Sequence, residues 1–154
     1  MSKGPLRDRP FVQFNFLVDF GGGTDGPDAG FQECSNIGME VTVAEYRNGS
    51  DKENSVRKIT GLNKSSDVTL KRGIIGSTTL YDWLDAIRNG DNTSDKALRT
   101  VTITLQSEDH TTPVMTWTLK KARIIKYTCG PLNAKGTDVA MEEMVLAYER
   151  LTVE

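Results

Sequence analysis

Thr100-Val-Thr-Ile-Thr-Leu-Gln106 and Met115-Thr-Trp-Thr-Leu119 decide the fold class. In the first, Val101, Ile103 and Leu105 alternate with Thr100, Thr102, Thr104 and Gln106. In the second, Met115, Trp117 and Leu119 alternate with Thr116 and Thr118. A period of two belongs to a strand with one buried face, because successive side chains point to opposite sides. The polar stretch from Ser107 to Pro113 joins the two runs as a hairpin turn. Threonine is β-branched and polar, so it suits a pleated surface that touches water or another subunit.

The same period extends outward. Residues 11–20 set Val12, Phe14, Phe16, Val18 and Phe20 against Gln13, Asn15 and Asp19. Residues 38–46 set Met39, Val41 and Val43 against Glu40, Thr42 and Ala44. Residues 138–148 set Ala140, Met144, Leu146 and Tyr148 against Val139, Met141, Glu143 and Val145. That last run is apolar on both sides for part of its length, which fits a strand central in the fold or half-covered by a partner. The glycine-rich stretch 21–30, Asn48-Gly49, Gly61 and Gly130-Pro131 punctuate the runs as turns. One segment has a different period. Leu80, Trp83, Leu84 and Ile87 follow i, i+3, i+4, i+7, an apolar stripe on a helix over about 78–89. Thr79 with Asp82, or their neighbours, can cap its start, and Asn89-Gly90 can stop it. The expectation is a mainly β fold with one packed helix.

The 154 residues suit a single domain spanning 1–154. Nineteen basic and 21 acidic residues leave a net charge of −2, which argues against a general nucleic-acid binder. One histidine and two cysteines exclude a four-ligand Cys/His zinc site within the chain and a disulfide framework. The first ten residues lack an apolar core before a cleavage site, so cytoplasmic assembly without a signal peptide is expected. No apolar run approaches the roughly 20 residues of a spanning helix, so no stable membrane insertion is expected.

No catalytic, cofactor or metal set emerges. His110 sits in a polar turn and reads as a surface residue. Cys34 and Cys129 read as unremarkable, mostly buried thiols. The Gly21–Gly26 stretch lacks the Lys-Ser/Thr ending of a phosphate loop, and Asp25 and Asp28 miss the calcium-loop spacing. Lys120, Lys121, Arg123 and Lys126 form one basic cluster. On a regular strand Lys121 and Arg123 share one face and Lys120 and Lys126 the other. The cluster reads as a solvated strand or as a wall facing an acidic neighbour or a polyanion. The segment Glu45–Lys58 is polar and mixed in charge with almost no apolar anchor. It reads as an irregular loop, disordered alone or serving a partner.

Several segments together resemble a known family. They are Phe11-Val-Gln-Phe-Asn-Phe16, Gly30-Phe-Gln-Glu-Cys-Ser-Asn-Ile37, Val43-Ala-Glu-Tyr-Arg-Asn-Gly49 and Ile59-Thr-Gly-Leu62. Val68-Thr-Leu-Lys-Arg-Gly73, Leu80-Tyr-Asp-Trp83 and Val139-Ala-Met-Glu-Glu-Met-Val-Leu-Ala-Tyr-Glu149 complete the set. In this order they resemble the tail-tube protein of contractile-tailed phages and extracellular contractile injection systems, over roughly residues 11–151. Ser-Asn-Ile at 35–37 departs mildly from the Ser-Gly-Leu of many relatives.

The resemblance implies a small β-barrel or sandwich with the helix packed on it. It implies a ring of six copies whose strands line a wide inner barrel, and rings stacked head to tail inside a contractile sheath. An extension at about 46–58 would then place Tyr46, Arg47, Asp51, Lys52, Glu53, Arg57 and Lys58 at the ring-to-ring interface. The implied partners are other copies of the chain, the sheath, baseplate and tube-terminating proteins, and a cargo effector or DNA in the lumen. Two other readings stand beside it. One is a baseplate tube-initiator or a type VI secretion-type tube and effector chaperone. The other is a small β-barrel ligand-binding protein or enzyme using Asp67, Asp82 or Glu142.

Overall fold

A computed structural model describes residues 9–20, 30–76, 78–90 and 97–154. The glycine-rich residues 21–29, with Asp25 and Asp28, lie outside the described residues. Nine strands and one helix follow the order β1 (Phe16–Asp19), β2 (Glu33–Cys34), β3 (Met39–Tyr46), β4 (Arg57–Ser65), β5 (Val68–Gly73), α1 (Thr79–Arg88), β6 (Arg99–Gln106), β7 (Pro113–Cys129), β8 (Met141–Ala147) and β9 (Arg150–Val153). All strand pairs are antiparallel, so the fold is mainly β with a single helix among the described residues.

The β6–β7 hairpin carries the register its sequence announces. Val101 faces Leu119, Ile103 faces Trp117 and Leu105 faces Met115. Val101, Ile103 and Leu119 are buried, but at the start of β7 the expected phase is inverted, with Met115 39% exposed and Thr116 only 4%. Strand β7 is the spine. Its first half pairs with β6 on one edge and β9 on the other, and its second half pairs with β8. The larger sheet therefore runs β1-β6-β7-β8-β5-β2. At Lys121 the backbone takes φ of 53°, unusual for a side chain with a Cβ, and β7 turns a corner. Opposite that corner β8 gives way to β9 at Tyr148-Glu149, and the Glu149 amide donates to the Lys120 carbonyl at 3.1 Å. The kink breaks the alternation expected for the basic cluster. Lys120 and Lys121 are both exposed, and Ala122 is buried between Lys121 and Arg123.

The core lies inside the curled sheet. Val18, Val68, Leu70, Val101, Ile103, Leu119, Ile124, Met144 and Leu146 fill it, with Leu80 and Trp83 of α1. The helix lies across β7. Leu80 and Trp83 are fully buried, and Leu84 and Ile87 pack partly against the same cluster. The Trp83 indole N–H donates to the Ala97 carbonyl at 2.7 Å, and the Arg99 guanidinium sits 4.9 Å from its ring centroid. Thr78 is the N-cap, one residue before the expected pair, and it bonds the Asp82 carboxylate at 3.2 Å rather than a backbone amide. Asn89 ends the helix and Gly90 follows at φ of 94°, a conformation that favours glycine.

Three expectations need correction. Residues 11–20 do not form one alternating strand: β1 covers only Phe16–Asp19, Phe14 is 70% exposed and Asn15 is buried. Asn15 is turned inward by its carbonyl, which accepts from the Gln106 amide at 2.8 Å, and by its side-chain amide, which reaches the Ser107 carbonyl. Gly61 is not a turn but lies within β4 beside a register shift. Glu45–Lys58 is not one irregular loop: Glu45 and Tyr46 end β3, Arg57 and Lys58 open β4, and only residues 47–56 connect them. Thus 38–65 forms one long hairpin.

Candidate assembly surfaces

Strands β3 and β4 pair only with each other, as a two-stranded sheet apart from the main one. Every residue of β3 is exposed, and so is every residue of β4 before Ser65. The expected face of Met39, Val41 and Val43 exists, but it packs on nothing within the described residues. Tyr46, Val56, Ile59 and Leu62 are also exposed, Leu62 to 83%. An isolated hairpin is marginal in water, and a run of exposed apolar residues marks an interaction site.

The connecting segment is organised from within. Arg47 folds back to donate to the carbonyls of Asp51 and Glu53, both at 3.2 Å, and to the Asn54 side chain at 3.3 Å. Asp51 accepts from the Asn48 amide at 3.2 Å and faces Arg57 at 3.5 Å. The Tyr46 hydroxyl donates to the Asn48 side chain. So Tyr46, Arg47, Asp51 and Arg57 shape the tip. Lys52, Glu53 and Lys58 project from it, and their side chains make no hydrogen bond or ion pair among the described residues. The seven expected residues are thus gathered on one projection, but they divide into shaping and presenting groups.

The hairpin base is pinned to the body. The Gly38 carbonyl accepts from the Ser66 amide at 3.0 Å, the Ser66 hydroxyl at 3.1 Å and the Tyr148 hydroxyl at 2.8 Å. The Ser65 hydroxyl donates to the Tyr148 carbonyl at 2.5 Å. Sequence reading missed this clasp, since Gly38 and Tyr148 are 110 residues apart.

Sequence reading also missed a buried ion pair. Arg72 and Glu142 face each other across β5 and β8, 1% and 2% exposed, and the Arg72 Nε–H donates to Glu142. The Tyr127 hydroxyl donates to the second Glu142 oxygen at 2.7 Å, and the Cys129 thiol donates to Tyr127 at 3.0 Å. Burial, with those two bonds, raises the Tyr127 pKa. The Arg72 guanidinium also lies 5.4 Å from the Phe31 ring centroid. Phe31, Phe20 and Trp83 then meet edge to face, linking the pair to the helix. A signal was present. Arg72 has the inward phase of Val68 and Leu70, and Glu142 that of Met144 and Leu146, two opposite charges on apolar phases.

The features weighed for chemistry stay apart. Asp67 is exposed beside the hairpin base, Asp82 is exposed in the first turn of α1, and Glu142 is committed to Arg72 and Tyr127. No cluster of metal-ligating side chains occurs among the described residues. His110 is exposed in the β6–β7 turn. Cys34 is half-buried, and burial pushes its thiol up to about 11. Cys129 is exposed, contrary to expectation. In the basic cluster, Arg123 and Lys121 both meet Glu149 of the same chain, at 2.9 and 3.9 Å. None of the described helices is long and apolar enough to cross a membrane.

A curled antiparallel sheet with one packed helix and a long, uncovered hairpin defines a subunit made for assembly. The profile of the T4-like virus tail tube protein gp19 family matches residues 12–152. The chain belongs to that family and is a structural inner tube subunit. Among solved structures, it is similar to a chain of the sheath–tube complex of an extracellular contractile injection system, PVC, in the extended state. The identity is 25%, the TM-score is 0.79, and 96% of this chain and 93% of that one are covered. A chain in the tube-terminating cap of the anti-feeding prophage is 21% identical over 99% and 95%, with a TM-score of 0.78. Hcp1 from Flavobacterium johnsoniae is 11% identical over 91% and 94%, with a TM-score of 0.54. The last two likenesses concern the fold alone. Among curated proteins no match was found by sequence.

Proposed function

We propose that residues 1–154 act as one tube-protein domain, six copies of which close into a ring, and that rings stack head to tail through the β3–β4 hairpin. The observation that carries this reading is the hairpin itself: two strands with exposed apolar side chains and no cover among the described residues. Such an element is stable when a second copy covers it, and a heterologous contact that does not close on itself yields a filament. Lys52, Glu53 and Lys58 at the tip supply mixed charges that fix register and make stacking sensitive to salt. Tyr46, Arg47, Asp51 and Arg57 keep the tip in shape for that contact.

The tube would sit within a sheath between a baseplate and a terminating cap, as the matched complexes contain such parts. Its lumen would pass an effector or DNA. The subunit does no chemistry in this reading and assembles in the cytoplasm. Deleting residues 47–57 tests the stacking role. The expected product is a soluble monomer or single ring in electron micrographs. Long tubes from the deletion variant would refute it.

A further inference from the structure

We propose that Tyr148 is a positioning residue for assembly: it sets the angle at which the β3–β4 hairpin leaves the body. The inference rests on the stacking reading above. Neither hairpin strand packs on the core, so the direction of the hairpin is decided at its base. There Tyr148 holds both ends. Its hydroxyl donates to the Gly38 carbonyl, just before β3, at 2.8 Å. Its own carbonyl accepts from Ser65, the last residue of β4, at 2.5 Å. One residue thereby brackets the strand that enters the hairpin and the strand that leaves it.

Tyr148 is a firm anchor. Its ring is buried in the core, and its backbone lies at the corner between β8 and β9. That corner is tied to β7 by the Glu149 amide on the Lys120 carbonyl and by Glu149 on Arg123. Before the clasp, Ser35 and Thr69 bond each other twice, through the Ser35 amide at 2.9 Å and the Ser35 hydroxyl at 2.7 Å. Beyond it, β3 and β4 pair only with each other. A projection held at one angle beforehand gives up less freedom on docking than one that swings.

Tyr148→Phe tests this because it keeps the buried ring and removes only the hydroxyl. Ser65→Ala removes the other half of the clasp. In dilute, unassembled full-length protein, amides of β3 and β4 should exchange several-fold faster in either variant. Core amides of β7 and β8 and the thermal midpoint should stay near wild type. The concentration needed for half-maximal tube formation should rise roughly five-fold, which is about 1 kcal/mol. Hairpin exchange at the wild-type rate in both variants would overturn the clasp. So would equally faster exchange of core amides with a lowered midpoint, which would make Tyr148 an ordinary core residue. Faster hairpin exchange with unchanged tube formation would overturn the positioning role of Tyr148 in assembly, and would leave the stacking role to the deletion of 47–57. If deletion of 47–57 abolishes tubes while Tyr148→Phe exchanges and assembles as wild type, only the clasp fails.

Discussion

Replacing Glu142 with leucine should be among the most damaging single changes in this chain, and replacing its partner as well should be less damaging. Glu142 is 2% exposed and accepts from the Arg72 Nε–H and, at 2.7 Å, from the Tyr127 hydroxyl. Glu142→Leu removes the carboxylate that accepts from the Arg72 Nε–H, and the Arg72 side chain is only 1% exposed. Breaking a buried pair from one side costs about 3–5 kcal/mol, because the charge that stays has lost its opposite in a site with little water. That is a large share of the roughly 5–15 kcal/mol by which a domain is stable. At about 2–4 °C per kcal/mol for a chain of this size, the thermal midpoint should fall by about 6–20 °C. Arg72→Met together with Glu142→Leu removes both charges. It forfeits the contact of Arg72 with Phe31, about 0.5–2 kcal/mol, but keeps neither half of the Arg72–Glu142 pair without the other. The double variant should therefore be more stable than either single one. Urea denaturation of dilute protein, followed by the fluorescence of Trp83 and Trp117, gives the three values. If the double variant loses as much as the two single losses summed, the pair is not coupled and the reasoning fails.

Trp83→Ala should cost about 3–5 kcal/mol, since it opens a large cavity between α1 and β7. Trp83→Phe should cost less, mainly through the Ala97 carbonyl left unpaired. Equal losses from the two in urea titrations would contradict the packing described. Gly61→Ala should loosen the hairpin and spare the core, because its Cβ would meet the Thr42 hydroxyl at 2.9 Å. That hydroxyl now donates to the Leu62 carbonyl at 3.1 Å, and it must move. Tube formation should weaken while the unfolding free energy in urea changes by less than about 0.5 kcal/mol, as for other exposed sites. A large loss of global stability would refute this. Iodoacetamide at pH 8 should label exposed Cys129 well before Cys34. With its pKa pushed up to about 11, Cys34 is ionised at that pH only to roughly one part in a thousand. Equal labelling of the folded protein would show that Cys34 is not held as described.

The parts legible in the sequence were those where one strand face is buried and the other is not. The Thr100–Gln106 run and the Leu80, Trp83, Leu84, Ile87 stripe follow a simple period because each element has one inside, whereas Met115 and Thr116 at the start of β7 invert it. In β8 the half-buried outer phase and buried inner phase fit its place between β5 and β7. The period failed where the backbone bends. Asn15 turns inward to meet Gln106 and Ser107, and Lys121 takes a positive φ at the corner. It misled at Met39, Val41 and Val43, whose alternation is regular but which stay exposed among the described residues. The tip residues were found by their polarity. Their division into shaping and presenting groups was not visible, because it depends on Arg47 folding back. Tyr148 carried no local signal, since a tyrosine on an apolar phase reads as core until its hydroxyl is seen on a distant carbonyl.

A helical reconstruction by electron cryomicroscopy of tubes grown from the purified full-length protein tests the central claim most directly. Six subunits per ring are expected, with the β3–β4 hairpin of each seated on the next ring and Lys52, Glu53 and Lys58 at that contact. A tube whose hairpins point into solvent or into the lumen would contradict it, as would a protein that stays monomeric at every concentration.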